Sequence, residues 1–392
     1  MNVLLVDGPR RRRIDFLLAA LRGAVREAPP TMNAMTRRIL AGTAAVSAAL
    51  SLAACGSGSS ASSSSGTKTI GLLLPEKSSS TRYESFDKPL IEASVAALCT
   101  KCDVDYANAD GDETVQKQQF DALLAKGVKV ILLDPVNSGA TATWVDAAAK
   151  KGVKVIAYDR LAAGKVSAYI SFDNERTGEL QGQALLDALG NKASNANVVM
   201  INGAESDPNA AQFKKGAHKV LDEKVKKIVY EQSGEWKPEL AATKVNEAIG
   251  HFGKNGIQAV YSANDGMASS IIGALKGAGM NVPVGGQDAS LDAIQRILTG
   301  EQTYTIYKPY KPEADAAATM AVYLVKGLDI TSVASAMTES NGLQIPSMLL
   351  SPIVVTKEKV ASTVIAGNLY KPKDVCTPQV ADACREAGIE VK

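Results

Sequence analysis

Polar and aromatic side chains recur just after the predicted strands in both halves of the 392-residue chain. They are Arg82, Tyr83, Asp134, Asp159 and Arg160 in the first half, and Asp207, Asn209, Trp236, Asn264, Asp265, Gln287, Asp288 and Lys308 in the second. Each hydroxyl of a polyhydroxylated ligand both donates and accepts, so it pairs with a carboxylate and with Arg, Asn or Lys together. The C–H face of a sugar ring packs on an aromatic wall, and a closed cleft strengthens each polar contact by removing water. The set therefore predicts a site for a small sugar.

Each of these residues also has an ordinary structural interpretation. An Asp or Asn after a strand is often the N-cap of the next helix, and Asp207 and Asp265 are interpreted as caps or loop braces. Arg82 or Arg160 alone would suit a surface ion pair, and Trp236 alone would suit core packing. The binding-site prediction depends on the recurrence of polar residues at equivalent strand ends of both halves.

The elements that must position these side chains alternate between strands and helices from residue 68 onward. The hexapeptide Lys-Gly-Val-Lys-Val-Ile occurs at 126–131 and again at 151–156, each time after a stretch with helical spacing. Such tandem βα units predict a parallel sheet with helices on both faces. The second half repeats the pattern, with strands predicted at 197–201, 227–230, 259–262 and 282–285. Two doubly wound lobes follow, and ligands bind such sheets beyond the carboxyl ends of the strands.

The N-terminal 67 residues predict export and a lipid anchor. Residues 35–54 combine two arginines with an uncharged apolar stretch of signal-peptide length. The stretch ends in Leu-Ala-Ala before Cys55, which resembles a lipobox, where the cysteine is acylated and becomes the mature N-terminus. The Ser-rich segment 55–67 is then a flexible tether to the outer face of the cell membrane, and residues 1–34 are interpreted as a start codon placed too early.

The other four cysteines lie in two close pairs, Cys99 with Cys102 and Cys376 with Cys384. In an exported protein such spacing predicts two local disulfides. Cys-Thr-Lys-Cys also resembles a redox motif. A thioredoxin-type motif opens a helix after a strand, whereas this one follows a helical stretch and precedes a strand, which favours a structural role.

Composition and motifs argue against several other functions. The formal net charge is +2, with no long basic patch outside residues 1–40, which gives no argument for nucleic acid. His218 and His251 lie far apart in sequence, so no metal is predicted. No cofactor is predicted, because the sequence has no P-loop, no Gly-x-Gly-x-x-Gly after a strand and no Gly-x-Ser-x-Gly. Asp159 and Asp288 could pair as acid and base of a sugar-active enzyme, but Arg and Lys neighbours favour two ionised carboxylates and hence binding.

The most specific stretches of sequence are 82–83, 157–160, 169–180, 263–265, 286–289 and 307–309. They include Ala-Tyr-Asp-Arg at 157–160 and Tyr-Ile-Ser-Phe-Asp-Asn-Glu-Arg-Thr-Gly-Glu-Leu at 169–180. Together they resemble periplasmic sugar-binding proteins of ABC transporters, of the ribose- and xylose-binding type, and D-xylose-binding proteins most closely. The resemblance covers residues 68–370.

This resemblance implies a type I periplasmic-binding-protein fold, with two lobes joined by three crossing strands. The N-terminal lobe would comprise 68–171 plus 309–350, and the C-terminal lobe 172–308 plus 351–392. The implied sugar contacts are Arg82, Asp159 and Arg160 from the first lobe, Asn209, Asn264 and Asp288 from the second, Lys308 near a crossing, and the aromatic walls Tyr83 and Trp236.

The implied function is that of a monomeric binding protein, not an enzyme, which delivers D-xylose or a similar aldose to the permease of an ABC importer. Xylose binders often have Trp where Tyr83 stands, so another aldopentose or a hexose remains open. A receptor that feeds a membrane sensor remains an alternative. A transcription repressor of related fold is disfavoured, because a signal segment and a Ser tract occupy the place of its DNA-binding headpiece.

Overall fold

The computed structural model describes residues 68–77 and 79–391. The predicted acylation site Cys55, the signal segment 35–54, the tether 55–67 and the extension 1–34 lie outside the described residues. Among the residues described, no helix is both long and apolar enough to cross a membrane.

Strands and helices alternate along the described chain. The strands are β1 (Lys68–Leu74), β2 (Cys102–Asn108), β3 (Val130–Leu133), β4 (Lys154–Tyr158), β5 (Ala168–Phe172), β6 (Asn197–Asn202), β7 (Lys227–Ser233), β8 (Ala259–Ser262), β9 (Thr305–Tyr307), β10 (Ala336–Ser340), β11 (Leu343–Leu350) and β12 (Ile353–Val355). The α-helices are α1 (Lys88–Leu98), α2 (Glu113–Lys126), α3 (Ala142–Lys150), α4 (Asn174–Leu189), α5 (Pro208–Leu221), α6 (Pro238–Phe252), α7 (Asp265–Gly277), α8 (Leu291–Thr299), α9 (Tyr310–Lys326), α10 (Pro372–Val375) and α11 (Ala381–Glu386).

The first lobe is built on a sheet with the strand order β10-β11-β5-β4-β3-β1-β2, in which only β10 runs antiparallel to its neighbour. Successive side chains of β1 point to opposite faces of this sheet. Leu72 packs in a cluster with Ile91 of α1 and Met320 of α9, whereas Leu73 packs in a cluster with Phe120 of α2. Helices therefore cover both faces, as predicted for a doubly wound sheet.

The second lobe is built on a smaller parallel sheet with the order β7-β6-β8. Its helices pack in pairs, α4 on α5 and α6 on α7. The strand predicted at 282–285 is wrong, because this stretch makes only an isolated bridge between Val284 and Val260. Pro283 has no backbone N–H to donate to a ladder, although its carbonyl accepts from Val260 N at 2.9 Å.

Three segments of chain cross between the lobes, from β5 to α4, from β9 to α9 and from β11 to β12. Two of the crossings are hydrogen-bonded to each other, since Asp173 N donates to Leu350 O at 2.9 Å. Close by, β9 and β12 form an antiparallel pair that belongs to the second lobe. The lobes are thus joined by short paired segments that can act as a hinge.

Both predicted cysteine pairs are disulfide-bonded in the structure. Cys99–Cys102 joins the end of α1 to β2 in the first lobe, with a Cα–Cα distance of 5.3 Å. Cys376–Cys384 joins the segments of α10 and α11 in the second lobe, with a Cα–Cα distance of 5.9 Å. Each bond closes a short local loop and lies away from the edge where the two sheets face each other.

Candidate functional site

A narrow cavity with a free volume of about 30 Å³ lies between the two lobes, beyond the carboxyl ends of the parallel strands. Its wall includes all nine residues predicted for the site: Arg82, Tyr83, Asp159, Arg160, Asn209, Trp236, Asn264, Asp288 and Lys308. Six further residues line it. Asp207 and Gln287 follow predicted strands but were not assigned to the ligand, whereas Glu76, Ser79, Ser80 and Phe213 were missed by the sequence interpretation.

Arg82 is buried and donates to three carboxylates. Its Nε and Nη2 each lie 2.8 Å from an oxygen of Asp87, its Nη2 also lies 2.6 Å from Glu313 Oε2, and its Nη1 lies 2.5 Å from Asp159 Oδ2. Because a guanidinium carries five N–H groups in a rigid fork, this leaves one N–H on Nη1 with no acceptor among the described residues. The carboxylates therefore hold the Arg82 side chain in one position and leave one N–H available to a ligand.

Asp159 follows β4 and adopts a backbone φ of 55°, which turns its side chain into the cavity. Burial raises the pKa of its carboxyl group, but Arg82, Lys308 and Arg160 lower it more, so the net pKa lies below the ordinary value. Asn209 Nδ2 donates to Asp159 Oδ1 at 3.0 Å across the gap between the lobes. The carboxylate is thus ionised and held from both sides.

Arg160 connects the two lobes. Its Nη2 donates to Glu76 Oε1 at 2.6 Å and its Nη1 to Pro135 O at 3.2 Å, both in the first lobe. Its Nε lies 3.0 Å from Oδ2 of Asp207, which belongs to the second lobe. This ion pair forms only when the lobes are close together, so the structure describes a closed arrangement.

Helix N-termini position the polar groups of the second lobe. Asp207 caps α5 by accepting from Asn209 N at 2.8 Å, which confirms its interpretation as a cap. The interpretation was incomplete, however, because the same carboxylate lines the cavity and also accepts from Trp236 Nε1 at 3.2 Å. Asn264 caps α7 through Met267 N at 2.9 Å. An N-cap that follows a strand lies at the sheet edge that ligands approach, so one residue can serve both roles.

Trp236 forms an aromatic wall in the second lobe. It follows β7 at a φ of 57°, an uncommon value for a bulky residue. Its ring packs directly on Gly203, where any Cβ would collide with the indole. The glycine therefore leaves room for the ring at the cavity wall.

Asp288 and Lys308 form an ion pair on the wall nearest the hinge, with 3.0 Å between Oδ1 and Nζ. Lys308 is buried, and its Nζ lies within 6 Å of two ring centroids, at 5.9 Å from Phe172 and 5.7 Å from Phe213. Burial lowers the pKa of Lys308, but Asp288 and Asp159 raise it more, so the net pKa is above the ordinary value and the amine stays charged.

Two amide oxygens in the cavity wall lack a partner. Asn209 Oδ1 and Gln287 Oε1 are buried and accept no hydrogen bond from the described protein atoms. A buried acceptor left unsatisfied costs about 1–3 kcal/mol. These oxygens, together with the free N–H of Arg82, are groups that the hydroxyls of a ligand can satisfy.

Among the residues missed from the sequence, Glu76 had a usable signal, because it stands two residues after β1 and so obeys the same strand-end rule as the others. For Phe213 the sequence offers no signal that separates a cavity wall from core packing, since the residue lies on the buried face of α5.

Two α/β lobes that meet over a polar cavity define a two-lobed ligand-binding protein. Residues 70–329 match the periplasmic binding protein domain family. The chain is 36% identical over 298 residues to the D-xylose-binding periplasmic protein of Escherichia coli K12, a match that covers 74% of this chain and 87% of that one. It is 33% identical over 277 residues to the D-xylose-binding periplasmic protein of Haemophilus influenzae, covering 68% and 81%.

Among solved structures, the fold is similar to that of a carbohydrate transporter solute binding protein from Chloroflexus aurantiacus in complex with D-glucose. The TM-score is 0.71 at 26% identity, and the match covers 79% of this chain and 98% of that chain. The chain belongs to the periplasmic binding protein family, and the predicted type I fold is confirmed.

Proposed function

We propose that this chain is an exported, lipid-anchored, monomeric binding protein that closes its lobes around a monosaccharide, D-xylose or a similar aldose, and delivers it to an ABC importer. The observation that carries the proposal is the composition of the cavity wall. Paired charges and amides from both lobes surround the space, and the rings of Tyr83, Phe213 and Trp236 line it as well.

The charges of the wall favour a neutral ligand. Arg82 is paired with Asp159, Arg160 with Asp207, and Lys308 with Asp288. Since each of these cations already has a carboxylate partner, a phosphate or carboxylate ligand would have to displace one. Hydroxyls can instead add to these pairs as both donors and acceptors.

Among sugars, the relatives favour D-xylose as the ligand, since two of them are D-xylose-binding periplasmic proteins that are 36% and 33% identical to this chain. Tyr83 is the feature that leaves the exact sugar to experiment, because it replaces the larger ring common in xylose binders. Its hydroxyl lies 3.5 Å from Arg160 Nη2, so it adds a polar group to an aromatic wall.

Calorimetry tests the ligand. Protein stripped of bound sugar by unfolding and refolding is titrated with D-xylose, L-arabinose, D-ribose, D-glucose, xylitol and xylose 5-phosphate. We expect the tightest binding from a neutral aldose and weak or no binding from the phosphate ester. A preference for the phosphate ester, or no binding of any sugar, would contradict the proposal.

The same sugars test for turnover. After long incubation with the protein, chromatography should recover each sugar unchanged, because the ion-paired carboxylates of Asp159 and Asp288 are suited to accepting hydrogen bonds rather than to donating protons. Appearance of an isomer or a hydrolysis product would favour a sugar-active enzyme instead.

The lipid anchor is proposed from the sequence before Cys55. Mass spectrometry of membrane-extracted protein should find an acylated cysteine at the mature N-terminus. The variant Cys55→Ser should be released or left unprocessed. Wild-type protein that retains the residues before Cys55 would overturn this part of the proposal.

Delivery to an importer is tested in cells. Deleting the gene should abolish high-affinity uptake of the radiolabelled sugar identified by calorimetry, and a plasmid copy should restore it. A receptor for a membrane sensor would leave uptake rates unchanged once the importer is expressed from a constitutive promoter.

A further inference from the structure

The loop 286–290, which carries Asp288 into the cavity, has a strained backbone. Asp288 has a φ of 99° and Ala289 a φ of 53°. Two consecutive non-glycine residues in this region are costly, and such a conformation persists only where its surroundings hold it. The position of the Asp288 carboxylate therefore depends on contacts made beneath the loop.

Asp265 makes those contacts. Its Oδ2 accepts from Ser290 N at 2.9 Å and from Thr305 Oγ1 at 2.9 Å, and its Oδ1 accepts from Gln302 Nε2 at 2.7 Å. Thr305 Oγ1 in turn accepts from Ala289 N at 3.1 Å. One buried carboxylate thus joins the loop to β9 and to the segment after α8.

The fit beneath the loop is tight. A Cβ at position 286 would collide with Asp265 Oδ1 and with Gln302 Nε2, so Gly286 is needed for the carboxylate to pack against the backbone. The backbone N–H of Asp265 donates to Gln287 O at 2.9 Å, which adds a second attachment to the same loop. These contacts cover the loop on both sides of Asp288.

The carboxylate of Asp265 serves no helix cap. The cap of α7 is its neighbour Asn264, whose side chain accepts from Met267 N. Asp265 does not line the cavity either, since its side chain lies behind the loop. Of the two sequence interpretations, cap or brace, the structure therefore supports the brace.

We propose that Asp265 is a positioning residue that holds Asp288 in ligand-binding geometry through Ser290, Thr305 and Gln302. The proposal rests on the proposed function, because it assigns Asp288 a role on the ligand. All three partners donate to the carboxylate, so its ionised form, which predominates above about pH 7, satisfies them and an amide cannot. The tests are therefore made above that pH.

The first test is Asp265→Asn. The new Nδ2 must face a donor, either Gln302 Nε2 or the pair at Ser290 N and Thr305 Oγ1, so the loop loses one attachment. We expect sugar affinity to fall by about tenfold or more and hydrogen exchange at the Ser290 amide to speed up in the ligand-free protein. The control is Asp112→Asn, which changes a carboxylate at the N-cap of α2 in the other lobe and should leave both measurements unchanged.

The second test is rescue by Asp265→Asn with Gln302→Glu. The new side-chain amide at position 265 can keep its oxygen toward Ser290 and Thr305 while its Nδ2 donates to the new carboxylate, which also accepts from Arg296 as Gln302 does. The net charge equals that of the wild type. Gln302 Nε2 also donates to Tyr304 O at 3.1 Å, a bond that the new carboxylate cannot make. The double variant should therefore recover part of the affinity and of the exchange protection, which general destabilisation by two substitutions would not do.

The outcomes separate the two proposals. Sugar binding by Asp265→Asn within about twofold of wild type, or unchanged exchange at Ser290, overturns the positioning role. If the wild type binds no sugar, the proposed function fails, and the exchange measurement alone decides whether Asp265 holds the loop. If Asp265→Asn does not fold, Thr305→Val removes one link of the same network and must show the same two effects.

Discussion

The first-lobe wall of the cavity contains Arg82 buried among three carboxylates, whereas the second-lobe wall presents Asp288 on a loop with positive φ. In the first lobe, charged side chains hold one another in place through ion pairs. In the second lobe, N-caps position Asp207 and Asn264 and a braced backbone positions Asp288, whose carboxylate also pairs with Lys308.

The two walls should respond differently to substitution of the residues that support them. Removing one member of a buried charge cluster leaves its partners uncompensated, so stability and binding fall together. Removing a brace lets a loop relax, so binding falls more than stability. The two lobes thus present similar hydrogen-bonding groups to the ligand, but a charge cluster holds those of the first lobe and helix caps and a braced loop hold those of the second.

The largest effect is expected from Arg82→Met. The change leaves Asp87, Glu313 and Asp159 without their shared cation in a buried site, and should cost about 3–5 kcal/mol of unfolding free energy. Urea denaturation measures it. Arg176→Met, which removes an exposed pair with Glu179, is the control and should change stability by less than about 0.5 kcal/mol. Equal unfolding midpoints for the two variants would show that the buried charge cluster of the first lobe adds no more stability than an exposed ion pair does.

Next come Arg160→Ala and Asp288→Ala, titrated with the best sugar. Each leaves hydroxyls and a charge unpaired in a dry site, at about 2–5 kcal/mol, or roughly thirtyfold to several thousandfold in affinity. Asp207→Ala should weaken binding as well as stability, since its carboxylate both caps α5 and pairs with Arg160. Folded Arg160 and Asp288 variants that bind within about twofold of wild type would place the ligand elsewhere.

A smaller effect concerns pH. Burial and the Asp288 carboxylate raise the pKa of Asp265 from 3.8 to about 7, although Ser290 N, Arg296 and Gln302 oppose the shift. The stability that this carboxyl contributes is present below its unfolded pKa and is lost as pH rises through the folded value. Between about pH 5 and about pH 8 the wild type should therefore lose about 2–3 kcal/mol relative to Asp265→Asn. Parallel stability curves would show that Asp265 does not titrate in this range.

The smallest effects are expected from the disulfides, one in each lobe. Replacing both cysteines by serine should cost about 2 kcal/mol for Cys99–Cys102 and about 2.5 kcal/mol for Cys376–Cys384, because the second loop is longer. Sugar affinity should not change, since neither bond borders the cavity. A loss of affinity in either pair of variants would link that disulfide to the closed arrangement.

Much of the site could be predicted from the sequence because parallel strands end at one edge of a sheet. Residues such as Asp159 after β4 and Trp236 after β7 therefore meet at one cavity. Their supports could not be predicted, because they are distant in sequence. Glu313 lies 231 residues from Arg82, and Thr305 lies 40 residues from Asp265.

Local sequence was sufficient to predict the two α/β lobes, the cap of α5 and the pairing of nearby cysteines, since each depends on neighbours within a few residues or on a regular hydrophobic period. The pairing of Asp207 with Arg160 and the bracing of the Asp288 loop by Asp265 became visible only in the folded protein. An ion pair between lobes, or a carboxylate beneath a strained loop, depends on where distant segments pack. Local propensity carries no information about that packing.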